Sequence, residues 1–174
     1  MKNTDIRYRF ATEADASALG RIQLQSMLHG YKDIVTESFF EKIDEKAQGE
    51  KYASFSKDNH YIILVAELEG KPIAFAAIGP NRGSEKEYPH EIYAVYVDPA
   101  HMNKGIGTKM LHKLFEKCAK RNWNHLILWC FSANKPSHAC YQKAGGTKII
   151  ETPSQPHGNY VDVPHTAFVW HLDK

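Results

Sequence analysis

Glu91-Ile92-Tyr93-Ala94-Val95-Tyr96-Val97, then Asp98-Pro99, then Asn103-Lys104-Gly105-Ile106-Gly107-Thr108, is the stretch on which the fold turns. Its first part is apolar, β-branched and aromatic, which suits a core strand. Ile106, Met110, Leu111, Leu114, Phe115 and Cys118 then recur at helical spacing, so Gly105 to Arg121 reads as an amphipathic helix with its lysines outward. A strand, a glycine turn and a helix N-terminus make an anion site, because free amide hydrogens and the helix dipole face the same point. The Gly-x-Gly spacing alone is weak. Met110 stands where a dinucleotide fingerprint needs its third glycine, and no P-loop Gly-Lys-Ser/Thr follows. A plain tight turn before a surface helix is the competing reading.

Working outward, Ile6 to Phe10 suggests a short strand, and Thr12 offers an oxygen to the amides that open a helix from about Ala14 to His29. A second helix is expected around Glu37 to Lys46, followed by a charged loop. Tyr61 to Leu68 and Ile73 to Ile78 flank the turn Glu69-Gly70-Lys71-Pro72, an antiparallel hairpin. Gly79 to Pro89 is a polar loop. His125 to Phe131 is a buried strand, and Asn134 caps a short helix with Pro136 in its first turn, ending near Gly145-Gly146. Lys148 to Thr152 and Thr166 to Leu172 are expected as terminal strands joined by a loop with Pro153, Pro156 and Gly158. Hairpins followed by strand–helix alternation specify a mixed α/β sheet with helices on its faces.

Composition narrows the class further. The 174 residues suit one domain, 1–174, and the 43% hydrophobic and 24% charged content suits a folded chain. The formal charge of +2 conceals an asymmetry: residues 100–148 carry nine Lys or Arg against Glu116, a net +8, and the remainder sums to −6. Cys118, Cys130 and Cys140 are odd in number and lack paired spacing, so neither a disulfide framework nor a zinc ribbon is expected, and the setting is read as cytoplasmic. The first residues show no signal-peptide core, and the longest apolar run, Tyr61 to Ala66, is too short to span a bilayer. Ten histidines show no H-E-x-x-H or Cys-His ligand spacing, so no metal is expected. Nucleic acid is the other reading of a basic segment, but it wants aromatics interleaved with the charge, and Trp123 and Trp129 read as strand packing.

Two motifs in register carry a resemblance. Met102-Asn103-Lys104-Gly105-Ile106-Gly107 and Asn134…Ser137…Cys140-Tyr141…Gly145 resemble the pyrophosphate turn Q/R-x-x-G-x-G/A and the signature N-x-x-[AS]-x-x-[FC]-Y-x-x-x-G of the GNAT family of N-acetyltransferases. Met102 departs from the usual Gln or Arg, and Gly146 replaces a frequent aromatic. The resemblance in element order covers roughly Ile6 to Leu172. It implies a single-domain acyl-CoA N-acyltransferase-like fold: a mixed, mostly antiparallel seven-stranded sheet, splayed after Pro89 and after Trp123 and flanked by about four helices. It also implies acetyl-coenzyme A as co-substrate, held by the backbone of Val95, Tyr96 and Val97, by Asn103, Lys104, Gly105, Ile106, Gly107 and Thr108, and by Asn134 and Tyr141.

Acetyl transfer to an amine needs a neutral amine, a polarised carbonyl and a proton for the departing thiolate. Glu91 lies where family members often carry a general base, acting directly or through water, against the alternative of a solvent-exposed strand-start glutamate. Tyr141 matches the tyrosine that protonates or hydrogen-bonds the sulfur. His90 and His138 are candidate auxiliary proton carriers, and Cys140 is a conceivable acyl carrier read instead as an inert buried thiol. Lys104 and Lys109 would face coenzyme phosphates. In the family the acceptor site is shaped by the first two helices and the last hairpin, here holding Tyr31, Asp33, Glu37, Phe39, Phe40, His157, Tyr160 and Asp162. Its acids would suit a cationic amine such as a polyamine, an aminoglycoside-like compound or a peptide amine. The expected partner is a small-molecule or peptide amine, without nucleic acid or membrane; a homodimer is left open. The alternative from another class is a non-catalytic acyl-coenzyme A binding or sensing domain.

Overall fold

Residues 6–153 and 163–173 are described by the computed structural model. The chain begins with strand β1 (Arg7–Phe10), a 3-10 turn and helix α1 (Ala16–Tyr31), then helices α2 (Glu37–Glu41) and α3 (Glu45–Phe55). Strands β2 (Ile62–Leu68), β3 (Lys71–Pro80) and β4 (His90–Val97) follow as antiparallel neighbours. Helix α4 (Ile106–Ala119), strand β5 (His125–Phe131), helix α5 (Lys135–Lys143) and strands β6 (Thr147–Thr152) and β7 (His165–His171) complete the order. All seven strands share one sheet ordered β1-β2-β3-β4-β5-β7-β6.

The strands match the expected ones to within a residue or two, and five α-helices replace the four anticipated. The addition is α3, which falls where a charged loop was expected. Asp44 caps it, accepting the Ala47 amide at 2.9 Å, and it buries only Gly49, Tyr52 and Ala53. Gly49 is what lets α3 lie against α1, since a Cβ there would fall 2.0 Å from the Ala16 carbonyl oxygen. Gly20 faces the same crossing, 2.2 Å from the Glu45 carbonyl oxygen.

Helices α4 and α5 cover one face of the sheet, burying Ile106, Met110, Leu114 and Tyr141 with Ile62, Leu64, Ile92 and Phe168. The other face packs Leu19 and Ile22 of α1 and Tyr52 of α3 against Ile63, Val65, Phe75 and Ala94. Residues on opposite sides of one strand thus enter different cores, as a period of two requires.

At the N-terminus the hydroxyl and amide of Thr12 both donate to Asp15. Arg9 grips the same carboxylate with two nitrogens at 2.8 Å and reaches Glu67 at 2.7 Å. Arg9 holds the Asp15 carboxyl below its ordinary pKa against the opposing effect of burial. A folded-state pKa depressed in this way stabilises the fold above the unfolded value and is lost as pH falls through the folded one. Asp15→Asn should therefore cost about 1–2 kcal/mol at pH 7, a gap that narrows below about pH 4. Urea midpoints of both proteins across that range check it.

Two features of β4 position the site. Ala94 pairs with Ala77 and Ile92 with Ile78, so Tyr93 is an extra residue, a bulge. Strict alternation would have set Glu91 with Val95; the bulge resets it, and Ile92, Val95 and Val97 all pack with the α4 face. Ala94 and Tyr96 are left on the α1 face. The bulge thus lies at Tyr93, just before the Val95 to Val97 segment whose backbone the resemblance assigns to the coenzyme. Second, β4 pairs with β5 in parallel only at His90–Leu126 and Glu91–Ile127. Beyond Glu91 the two strands part, and β4 presents free backbone to a cleft.

Candidate active site

The cleft has two connected arms. One, about 340 Å³, runs from the N-terminus of α4 past Val95 and Val97 to Cys140 and Tyr141. It leads into a second volume of about 280 Å³ between the parted strands, walled by Ile92 to Tyr96 on one side and Leu128 to Cys130 on the other. Gly105 caps α4 at φ 76°, with Asn103 at φ 59° two residues earlier. These left-handed residues turn the chain so that the first amides of α4 point into the arm, a backbone cradle for an anion. A Cβ at Gly105 would meet nothing within 4 Å, so the glycine is required by its backbone angle and not by crowding. At Gly107 a Cβ would sit 3.2 Å from Cys140 Sγ, which brings α4 close to α5.

Ten of the eleven expected coenzyme contacts line these arms: Val95, Tyr96, Val97, Asn103, Gly105, Ile106, Gly107, Thr108, Asn134 and Tyr141. Lys104 lines neither, and its Nζ donates to the Ala100 carbonyl at 2.9 Å. Asn134 caps α5 through Ser137 while its side chain lies in the cleft wall. Val95 to Val97 pair on one side with β3 and leave their other edge open to the cleft.

Tyr141 is buried among Phe168 and Trp170, with ring centroids at 5.5 and 6.2 Å. Burial pushes its hydroxyl well above the usual tyrosine pKa, so the proton stays on. Cys140 Sγ lies 3.5 Å from Thr108 Oγ1, and burial raises its thiol pKa. Cys130 is pushed up to about 12 by the same cause. Neither environment favours a thiolate nucleophile.

A third cavity, about 370 Å³, opens on the α1 face and shares Tyr31, Ile92, Tyr93, Tyr96, Trp129 and Cys130 with the cleft. Trp129, expected as strand packing, thus also lines both spaces. Glu91 is in this cavity wall and is only 1% exposed, which removes the reading of a solvated strand-start residue. Both its oxygens accept from Arg82: Oε1 from one terminal nitrogen, and Oε2 from the backbone amide at 3.0 Å and from Nε at 3.1 Å. Arg82 also lies over the Tyr93 ring at 4.4 Å.

Of the expected acceptor-site residues, Tyr31 and Phe39 line this cavity, whereas Asp33, Glu37 and Phe40 line neither it nor the two arms of the cleft. His157, Tyr160 and Asp162 lie outside the described residues. His90 stacks on Trp123 at 4.3 Å, and His138 Nε2 donates to the Phe131 carbonyl at 3.2 Å; neither lines the cleft. Burial lowers the pKa of both. No cluster of three or more His, Cys, Asp or Glu suited to a metal occurs among the described residues, and none of their helices is long and apolar enough to cross a membrane. Arg82, Lys51 and Gln23 are cavity residues that no sequence motif marked.

The family model of the GNAT acetyltransferases matches residues 28–146, from the end of α1 through the glycine turn to the second signature. The chain belongs to the GNAT family. Membership makes it an acetyl-coenzyme A-dependent N-acetyltransferase, in line with its likeness to curated acetyltransferases. The uncharacterised N-acetyltransferase YuaI of Bacillus subtilis is 23% identical over 84% of this chain and 83% of its own. The L-methionine sulfoximine/L-methionine sulfone acetyltransferase of Salmonella typhimurium is 25% identical over 83% of this chain and 82% of its own. YncA from Salmonella typhimurium, solved with its cofactor acetyl-CoA, superposes with a TM-score of 0.76 at 24% identity, covering 98% of this chain and 96% of that one.

The cradle yields a direct prediction for this GNAT chain. Gly105→Val forces a β-branched residue into a left-handed angle, at a cost of about 1–2 kcal/mol or displacement of the amides. Acetyl-CoA Kd should rise about 10- to 100-fold if the cradle is displaced, measured by calorimetry alongside circular dichroism to confirm folding.

Proposed function

We propose that the chain moves the acetyl group of acetyl-CoA onto the primary amine of a small molecule or peptide, directly, in a ternary complex. The observation that carries this is the shared wall: the volume between the parted strands, into which the α4 arm leads, and the third cavity are both lined by Tyr31, Tyr96 and Cys130, so two substrates can approach each other there. In this reading the α4 amides at Asn103 to Thr108 cradle the pyrophosphate, and the open edge of Val95 to Val97 pairs with the pantetheine arm. The amine enters from the Glu91 side and attacks the thioester carbonyl. Glu91, its oxygens already held by Arg82, takes the amine proton through an ordered water. Tyr141 donates to the departing sulfur from the opposite side. Among relatives, one named for acting on L-methionine sulfoximine supports a small amine as acceptor.

The reading of residues 1–174 as one domain is supported by the single sheet that draws strands from β1 to β7 among the described residues. Three free cysteines support a cytoplasmic setting. A thiol-release assay over a panel of primary amines tests the transfer. Acetyl-CoA-dependent release with at least one amine is expected. Tight acetyl-CoA binding without release from any amine overturns the transfer reading in favour of a sensing domain.

A further inference from the structure

We infer that the third cavity is polarised to take an amine that also carries a carboxylate, with Lys51 as the carboxylate's partner. This rests on the acetyl-transfer reading and adds the class of acceptor. The cavity's charged lining is Lys42, Lys51, Arg82 and Glu91. Glu91 is consumed by Arg82, which leaves two lysine charges without a carboxylate among the described residues. Lys51, solvent-exposed at the cavity rim, donates its Nζ to Gln48 Oε1 at 2.6 Å and lies 4.5 Å from the centre of the Tyr52 ring. A positioned ammonium with spare N–H groups and no anion is an anion receptor. Its pKa is lowered by burial and by the nearby Arg82 charge, the direction that a bound carboxylate would reverse.

The shared wall, which Lys51 does not line, differs in chemistry. Where the cavity meets the cleft, its polar groups include the hydroxyls of Tyr31, Tyr93 and Tyr96, and that of Tyr96 is hydrogen-bonded to Tyr31 and to the Gln23 side chain. Nearby in the wall is Gln23, 7% exposed, whose Oε1 is buried without a hydrogen-bond partner in the described structure. An orphaned carbonyl oxygen is satisfied by an N–H and not by a second carboxylate. Amine toward the coenzyme and carboxylate toward Lys51 is therefore the orientation that satisfies both ends. A purely cationic polyamine would instead meet Lys42 and Lys51 with like charge. Met27, Phe39 and Ile43 in the same lining supply an apolar wall for a side chain.

The test pairs each of the twenty L-amino acids with its primary amide, which keeps the amine and removes the anion. Acetyl transfer should favour the acid over its amide. Lys51→Met should raise KM for the acid about 10- to 100-fold, the loss of a charge-assisted hydrogen bond. KM for the amide should move by less than about threefold, and Lys51→Arg should restore most of the acid's affinity. Equal use of acid and amide by the unaltered protein, or equal loss of both in Lys51→Met, overturns the inference. Calorimetric binding of N-acetyl-L-methionine against N-acetyl-L-methioninamide reads the same subsite without turnover. Preference for the acid, lost in Lys51→Met, sustains the subsite even if no amine is acetylated; binding of both alike removes it even if transfer occurs.

Discussion

Tyr141→Phe should lower kcat by about 10²- to 10⁴-fold, the usual span for loss of a general acid, with acetyl-CoA Kd changed by less than about threefold. The substitution keeps the ring between Phe168 and Trp170 and removes only the hydroxyl, so melting temperature should hold. Selectivity for kcat follows from timing. The sulfur carries negative charge only as the C–S bond breaks, and a group that stabilises that charge contributes to the transition state and not to binding. Burial, helped by the neighbouring Cys130 and Cys140, raises the Tyr141 pKa well above its ordinary value. A group with a raised pKa stays protonated below it, so Tyr141 produces no alkaline fall in rate up to about pH 10. The deficit in Tyr141→Phe should then be constant from pH 7 to 9.5. A rate unchanged by the substitution assigns the sulfur's proton to another donor.

The cleft at the N-terminus of α4 is legible in the sequence because it is built from local, patterned signals. Gly105 and Gly107 mark a backbone turn, Asn134 a cap, and Ile106, Met110, Leu114 and Cys118 a single buried stripe on α4. Each is a property of a few adjacent residues. The cavity on the α1 face is not legible for the opposite reason. Helix α3 buries only Gly49, Tyr52 and Ala53 on one face, with Tyr52 the single large side chain among them, too thin an apolar stripe to stand out in a charged segment; it is held instead by its crossing with α1. The bulge at Tyr93 leaves no mark in an unbroken alternating run; it exists because β3 and β4 differ by one residue in register. Arg82 sits in a loop that reads as polar punctuation, and only the fold returns it to Glu91 nine residues on. Charge totals misled in the same way. Asp33 and Glu37 contribute to the acidic remainder of the chain, yet the cavity walls hold Lys42, Lys51 and Arg82 instead.

The bulge and the ion pair together define what Glu91→Gln should do. If Glu91 draws the amine proton through water, replacing its carboxylate with an amide should cut kcat by about 100-fold. Thermal stability is the control. Removing one partner of a buried pair commonly costs 3–5 kcal/mol, because the other charge is stranded. Here the stranded partner would be Arg82, whose side chain is 53% exposed and can be rehydrated. The loss should therefore stay below about 2 kcal/mol, and Gln still accepts from the Arg82 amide through its remaining oxygen. Arg82→Gln separates the two roles further. It leaves the Glu91 side chain 2% exposed with its guanidinium partner gone, and should destabilise the fold more than Glu91→Gln does, the reverse of the order expected for kcat. Stopped-flow turnover and chemical denaturation on both variants give four numbers. A kcat that tracks stability across them makes Glu91 a structural anchor of the cavity wall; a kcat that collapses in Glu91→Gln alone makes it the group through which the amine loses its proton.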